Sequence, residues 1–208
     1  MSPNPDPVES DLRSYYEREA ELGTRTELRG RRIELRDEFI VLLREERCRS
    51  LLDLGSGPGL DGAVFVEAGL RYAGLDLAQG NGVLAAGAGL SVVQGSIARP
   101  PFRPAAFDAG WSMSTFMHVP ADEAATVAAG MVGPLRPGAP LLVGLWGGTP
   151  RDEIDDTKIE GERRLFSLRS VEHNRQLLAA GGATEHRSTW EVGPDGWEYQ
   201  VFLVRVGD

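Results

Sequence analysis

The sequence has one cysteine, one lysine and three histidines among 208 residues, and each shortage removes a class of chemistry. Cys48 has no partner for an internal disulfide. Flanked by Arg47 and Arg49, it reads as a passive small residue, which suits a reducing cytoplasm as the expected compartment. Lys158 is the single lysine, so the positive charge is nearly all arginine. With a formal net charge of -9 and a pI near 4.9, no basic block is available to follow a phosphate backbone, and nucleic acid is not an expected partner. Long apolar runs are missing too. The opening "MSPNPDPVESDLRSYYERE" has no apolar core and nothing later reaches bilayer length, so neither export by that route nor a membrane partner is expected. No ligand set with metal spacing appears, and no Gly-x-Ser-x-Gly nucleophile elbow, so the expected chemistry is metal-independent.

What the chain does have is a 41% hydrophobic composition, enough to bury the core of one domain, and 26 glycines. Residues 1–10, with Pro3, Pro5 and Pro7, read as a disordered lead to a single domain over 11–208. From Asp11 the pattern is helical. Leu28, Leu35, Phe39 and Leu42 fall at helix-face spacing in a charged segment, making 11–48 an amphipathic cover. After Ser50 short apolar runs alternate with helical stretches: "LLDL", "DGAVFVEAG", "YAGLDL", "LSVVQG", "FDAGWS", "DEAATVAAGMV" and "LLVGLW". That rhythm predicts a parallel sheet with helices on both faces. Gly69 and Gly89 read as helix stops, and "LRPGAP" as a turn before the fifth strand. "SLRSVEHNRQLLAAGG" reads as a helix. "ATEHRSTWEV" and "WEYQVFLVRV" read as two strands joined by the turn "GPDG", so the sheet ends in an antiparallel pair. Residues 147–165, polar and mixed in charge, are either a lid or a surface loop.

In open α/β sheets ligands sit beyond the carboxyl ends of the strands, which places "LLDLGSGPGLDG" at the expected site. Gly55, Gly57 and Gly59 permit a tight turn and close ligand approach, and the next helix offers its N-terminus. A dinucleotide fingerprint would need its third glycine at position 60, where Leu60 stands. Asp53, at the strand end, would oppose a pyrophosphate but favour an ammonium or sulfonium. Asp76 closes the second strand as an acidic partner for a ribose diol. Each has a plainer reading: the glycines as a turn alone, Asp76 as a helix N-cap, and Asp61 as a first-turn charge on the helix dipole instead of a ligand contact.

At "LDLGSGPG", "YAGLDLA", "VVQGSIARPPF", "FDAGWSMSTFMHVP" and "LRPGAPLLVGLWGG", in that order over residues 51–146, the sequence resembles the class I S-adenosylmethionine-dependent methyltransferases of small-molecule type. The resemblance implies an α/β, Rossmann-like, doubly wound and mostly parallel seven-stranded sheet ending in an antiparallel hairpin. It also implies S-adenosyl-L-methionine as cofactor. Asp53, Gly55 and Gly57 would hold its methionine part, Asp76 the ribose hydroxyls, and Leu77, Ser96 and Ile97 would flank the adenine, with Ser56 and Gly59 as further cofactor contacts. At Ser96 the family commonly has an aspartate, a stronger acceptor for the adenine amino group.

The resemblance also implies that the strand end "WSMSTFMHV" faces the reactive methyl, which makes Trp111 a further cofactor contact and Ser112, Met113 and His118 candidates at the transferring end. Methyl transfer is an in-line displacement that positioning and water exclusion can accelerate. His118 titrates in the right range for a general base, or it packs at a loop–helix junction. Tyr15, Tyr16 and Trp146 are candidate substrate contacts, or aromatics that a helix on a sheet needs anyway. The expected function is methyl transfer to a nitrogen or oxygen of a small metabolite. The rivals are a non-catalytic cofactor-binding protein of the same fold and a nicotinamide-dependent oxidoreductase.

Overall fold

The computed structural model describes residues 7–28, 30–191 and 196–207. Two helices, α1 (Pro7–Leu22) and α2 (Gly30–Glu45), precede the sheet. There follow β1 (Ser50–Leu54), α3 (Leu60–Glu67), β2 (Arg71–Asp76), α4 (Gln79–Gly87), β3 (Val92–Gln94) and β4 (Ala109–Met113). A 3₁₀ turn at Phe116–His118 leads to α5 (Ala124–Val132) and β5 (Pro140–Gly148). A hairpin of β6 (Arg151–Asp155) and β7 (Arg164–Leu168) comes before α6 (Val171–Leu178), and β8 (Gly182–Glu191) and β9 (Trp197–Val206) finish the chain. The sheet order is β3-β2-β1-β4-β5-β9-β8. Its first five strands are parallel, β9 runs antiparallel to β5, and β8 antiparallel to β9. The strand order reverses between β1 and β4, so the ends of these two strands open the crevice where such sheets hold ligands.

Side chains alternate across a strand, and that parity sorts the core into two layers. Leu52, Leu54, Leu75, Leu141, Val143 and Leu145 pack with Ala128 and Met131 of α5 and Leu178 of α6. Leu51, Tyr72, Ala109, Trp111 and Leu142 face the other way, onto Phe39, Ile40 and Leu43 of α2 and Phe65 of α3. Asp53 shares the parity of Leu51, and Trp111 is its register partner on β4, so both side chains are delivered to the α2–α3 layer.

Three local features differ from the sequence reading. α1 begins at Pro7, so residues 7–10 are helical and not part of a lead; residues 1–6 lie outside the described residues. The cover is two helices, because the chain breaks after Leu22 at Gly23, whose φ of +61° lies in the left-handed region. Leu28 falls in that break, whereas Phe39 is buried and Leu35 and Leu42 pack partly against the core. Residues 147–165 run through the end of β5 into the β6–β7 hairpin, which also takes Ser167 and Leu168 from the expected helix. The terminal strands pair as expected, but most of the "GPDG" turn lies outside the described residues.

Candidate active site

Beyond the strand ends lies a cleft of about 820 Å³ of empty space, part of it open to solvent. One flank is formed by Leu75, Asp76, Leu77, Gly95, Ser96, Ile97 and Ala98, the floor by Gly55 and Met113, and the other end by Ser114, Thr115, Tyr16 and His118. α1 lies across it with Val8, Glu9, Leu12 and Tyr16. The structure therefore gathers eight of the residues singled out in sequence around one cavity: Tyr16, Gly55, Asp76, Leu77, Ser96, Ile97, Met113 and His118.

The glycine loop is shaped by three left-handed residues, Gly55 (φ +82°), Gly57 (φ +56°) and Gly59 (φ +84°). A Cβ on Gly55 would collide with Thr115 Oγ1 and Cγ2, so the loop closes on the β4 end only because the residue is glycine. Gly59 has a different duty: a Cβ there would strike Leu90, so it serves the packing of α3. Asp76 Oδ2 accepts from Gly57 N–H at 2.7 Å, and its Oδ1 accepts from Ala78 N–H at 3.0 Å and Asn81 Nδ2 at 3.1 Å. The aspartate thus lines the cleft and also ties the glycine loop to the start of α4. Burial pushes its pKa up, opposed by those three hydrogen bonds. A carboxylate has about four acceptor positions, so three bonds leave one for a ligand hydroxyl. Ser96 Oγ already accepts from Ala98 N–H at 3.1 Å.

Eight expected residues do not line the cavity: Gly57 and Gly59 of the loop, and six more for reasons of strand parity and packing. Asp53 is buried beneath the loop and accepts from Tyr72 Oη at 2.9 Å. Burial and then the nearby Asp61 carboxylate push it up to about 8. Ser56 turns inward against Gly74. Trp111 is fully buried between Phe39 and Phe65, at 5.6 and 5.3 Å between ring centroids, and its Nε1 donates to Asp61 Oδ2. Tyr15 is likewise fully buried, stacked 4.2 Å from Arg164, and Trp146 packs on Trp197 and Tyr199. Ser112 faces the α5 layer and donates to Leu54 O. Asp61 stands in the first turn of α3, as one of its two readings had it, and is there a buried counter-ion for Arg32 of α2, at 2.6 Å.

At the far end His118 is almost wholly enclosed. Its Nδ1 is 2.6 Å from the Leu165 carbonyl, which can only accept, so that nitrogen carries the proton. In the neutral ring Nε2 then holds a lone pair and accepts from Tyr16 Oη at 2.9 Å. Burial drives the His118 pKa down to about 3, and the Arg164 and Arg25 charges push the same way. A ring so disposed to stay neutral is poorly suited to take a proton at neutral pH. Sequence reasoning missed Arg25, Ser114, Thr115 and Arg164. Arg25 covers Gly57, its Nη1 standing 3.2 Å from where a Cβ would be, and pairs with Glu19 at 3.0 Å. Ser114 is held at φ +59° and hydrogen-bonds Tyr199 Oη at 3.0 Å. No local motif marks Arg25 or Arg164, while Ser114 and Thr115 lie within the strand end "WSMSTFMHV" with no spacing to set them apart. Among the described residues no group of three or more His, Cys, Asp or Glu could hold a metal ion, and no helix is long and apolar enough to cross a membrane.

Residues 52–143, from β1 to β5, match the family model described as a methyltransferase domain. Over that segment the chain is similar to the methyltransferase-domain family, and its fold is the class I methyltransferase fold. Its solved structural neighbours agree. The 1,6-didemethyltoxoflavin-N1-methyltransferase of Burkholderia thailandensis, solved with 1,6-didemethyltoxoflavin and S-adenosylhomocysteine, is 21% identical with a TM-score of 0.68, covering 100% of this chain and 93% of its own. The sugar N-methyltransferase KedS8 of Streptoalloteichus sp. is 20% identical with a TM-score of 0.64, covering 83% of this chain and 87% of its own. An S-adenosylmethionine-dependent methyltransferase of Clostridium acetobutylicum is 14% identical with a TM-score of 0.64, over 83% and 91% of the two chains. No curated protein matches in sequence. The matched segment ends within β5, so the β6–β7 hairpin, with Arg164 and Leu165, lies outside it.

Proposed function

We propose that this protein transfers a methyl group from S-adenosylmethionine to a nitrogen of a small molecule. The observation that carries the reading is one continuous cleft that runs from the Leu77–Ile97 flank past Asp76 and Gly55 to Tyr16 and His118. An adenine fits the apolar flank of Leu77 and Ile97, a ribose hydroxyl the remaining acceptor position of Asp76, and an amino-acid carboxylate the Arg25 guanidinium above Gly57. The close approach of backbone at Gly55 leaves the β4 end beside the reacting carbon. When bound, the cofactor supplies an electrophilic methyl on a sulfonium. The chain's own residues orient and exclude water: Met113 and Thr115 form the wall, and Tyr16 and His118 close the end. His118 acts there as a fixed hydrogen-bond acceptor and not as the base. Nitrogen is favoured as acceptor by the two N-directed relatives and by chemistry, since a neutral amine or ring nitrogen attacks with its lone pair before any proton leaves.

Calorimetry tests the reading. S-adenosylhomocysteine is expected to bind one site per chain without added metal, and NADH not to bind. Tight NADH binding with no S-adenosylhomocysteine heat would overturn it. Production of S-adenosylhomocysteine in the presence of pooled small amines and N-heterocycles separates an enzyme from a protein that only holds the cofactor.

A further inference from the structure

We propose that Arg164, at the start of β7, is a positioning residue for the transfer end: together with Leu165 it fixes the direction of the Tyr16–His118 hydrogen bond. Taken alone, a phenol and a neutral imidazole can bond either way, with the hydroxyl donating to the ring or the ring N–H donating to the oxygen. Two adjacent residues of the hairpin remove that choice. The Leu165 carbonyl, 2.6 Å from Nδ1, demands a proton there and so leaves a lone pair on Nε2. Arg164 has only donors to offer, and its Nη1, 3.3 Å from Tyr16 Oη, occupies an oxygen lone pair. The Tyr16 proton is then directed at Nε2, 2.9 Å away.

Arg164 is itself held rigidly. Its Nε and Nη2 both donate to Asp155 Oδ2, at 3.0 and 2.9 Å, and its guanidinium lies 4.2 Å from the Tyr15 ring and 4.8 Å from that of Phe166. It does not line the cleft, so it reaches a ligand only through Tyr16. The charged and titratable groups around His118 are Tyr16 from α1, Arg25 from the segment after α1, Asp155 from β6 and Arg164 from β7. The two guanidiniums oppose a charged ring and the Asp155 carboxylate favours one, so removing Arg164 alone has a definite sign. The consequence is that the transfer end presents a phenol oxygen to the acceptor, with an imidazole locked behind it. This rests on the methyltransferase reading only for the statement that Tyr16 faces the reacting methyl; the bond direction can be measured without any ligand.

The test is ring ¹⁵N NMR of the full chain between pH 3 and 8, ligand-free and with S-adenosylhomocysteine, for the natural sequence, R164Q, R164K and D155N. The natural protein is expected to show His118 protonated at Nδ1 and accepting at Nε2 from pH 8 down to about pH 4. R164Q should keep affinity for S-adenosylhomocysteine within about twofold and keep the proton on Nδ1, yet move the Nε2 signal towards that of a lone pair without a donor, because the Tyr16 proton is no longer directed at it, and raise the His118 midpoint by about one pH unit or more. R164K, which retains the charge without the fork, should return the midpoint most of the way while leaving the Nε2 signal displaced. A His118 spectrum in R164Q that matches the natural protein overturns the proposal, as does a proton on Nε2 in the natural protein. Should R164Q fail to fold, D155N decides. It frees the guanidinium and should move the Nε2 signal without raising the midpoint, and an unchanged spectrum there overturns the proposal equally. Failure of S-adenosylhomocysteine to bind leaves these spectra readable and counts against the functional reading alone.

Discussion

At the Asp76 end the cleft is built largely from backbone: left-handed glycines at 55, 57 and 59, and amide N–H groups of Gly57 and Ala78 gathered by one carboxylate. At the Tyr16 end it is built from side chains brought from α1, the 3₁₀ turn and the β6–β7 hairpin, with bonds spanning 102, 47 and 148 positions of sequence. The first kind of site depends on what a residue allows the chain to do; the second depends on tertiary packing holding distant groups in reach. They should therefore fail differently.

The largest effect is expected for Gly55→Ala, because the new methyl meets Thr115 and the residue keeps a positive φ. Affinity for S-adenosylhomocysteine should fall by at least about 100-fold and stability by about 1–3 kcal/mol. Gly69→Ala is the control, with φ +91° but nothing within 4 Å of a Cβ. It should cost about 1–2 kcal/mol and leave affinity alone, as calorimetry and thermal melting of both variants would show. Equal affinities would break the distinction between a glycine needed for its space and one needed only for its dihedral.

Asp76→Ala comes next. Losing a hydrogen bond to a charged acceptor should weaken S-adenosylhomocysteine binding by about 1.5–3 kcal/mol. Because the same carboxylate satisfies Gly57 N–H and Ala78 N–H, the melting temperature should fall by several degrees as well. A normal melting temperature with lost affinity would assign the residue to the ligand alone. A lowered one with affinity intact would assign it to the helix start.

Much of the backbone-built end was legible because its signals are local. Apolar runs, glycines and terminal acids at fixed spacing identify β1, the loop and β2 without knowledge of what packs on them. Trp111 shows the limit. Its place at the end of a central strand was readable, but its alternation with Ser112 sends it to the α2–α3 layer, where Phe39, Phe65 and Asp61 receive it. β6 was hidden for another reason. Its polar residues alternate between half-buried and exposed, and Asp152 and Asp155 are consumed by Ser167 and Arg164 on the partner strand, so charge masks the strand pattern. Arg25 sits in an irregular break with no periodicity to single it out.

The smallest effect on binding is expected from His118→Asn, which should leave cofactor affinity nearly unchanged while altering how stability depends on pH. An unfolded histidine titrates near 6.5 and the folded one near 3, so the unfolded chain binds the extra proton between these values. The neutral buried ring is thus at no disadvantage above about pH 6.5, and stability declines as pH falls from there towards 3. Denaturant melts across that window should show a shallower decline in the variant, and parallel curves would place the loss elsewhere.

α1 covers the cleft by means unlike those that hold the core. Of its described residues only Tyr15 and Glu19 are buried. Its remaining attachments are polar: Glu17 accepts from the Gln79 and Gly80 N–H groups at 2.6 and 2.7 Å, and Asp11 meets Arg163 at 3.0 Å in solvent. Water replaces such bonds at a net cost of about 0.5–1.5 kcal/mol each, with an exposed ion pair contributing less and yielding to salt. A molecule beneath α1 can leave by parting this wet seam without unpacking either apolar layer. Its residence time is therefore set by ionic strength and helix-end solvation, on a clock separate from that of global unfolding.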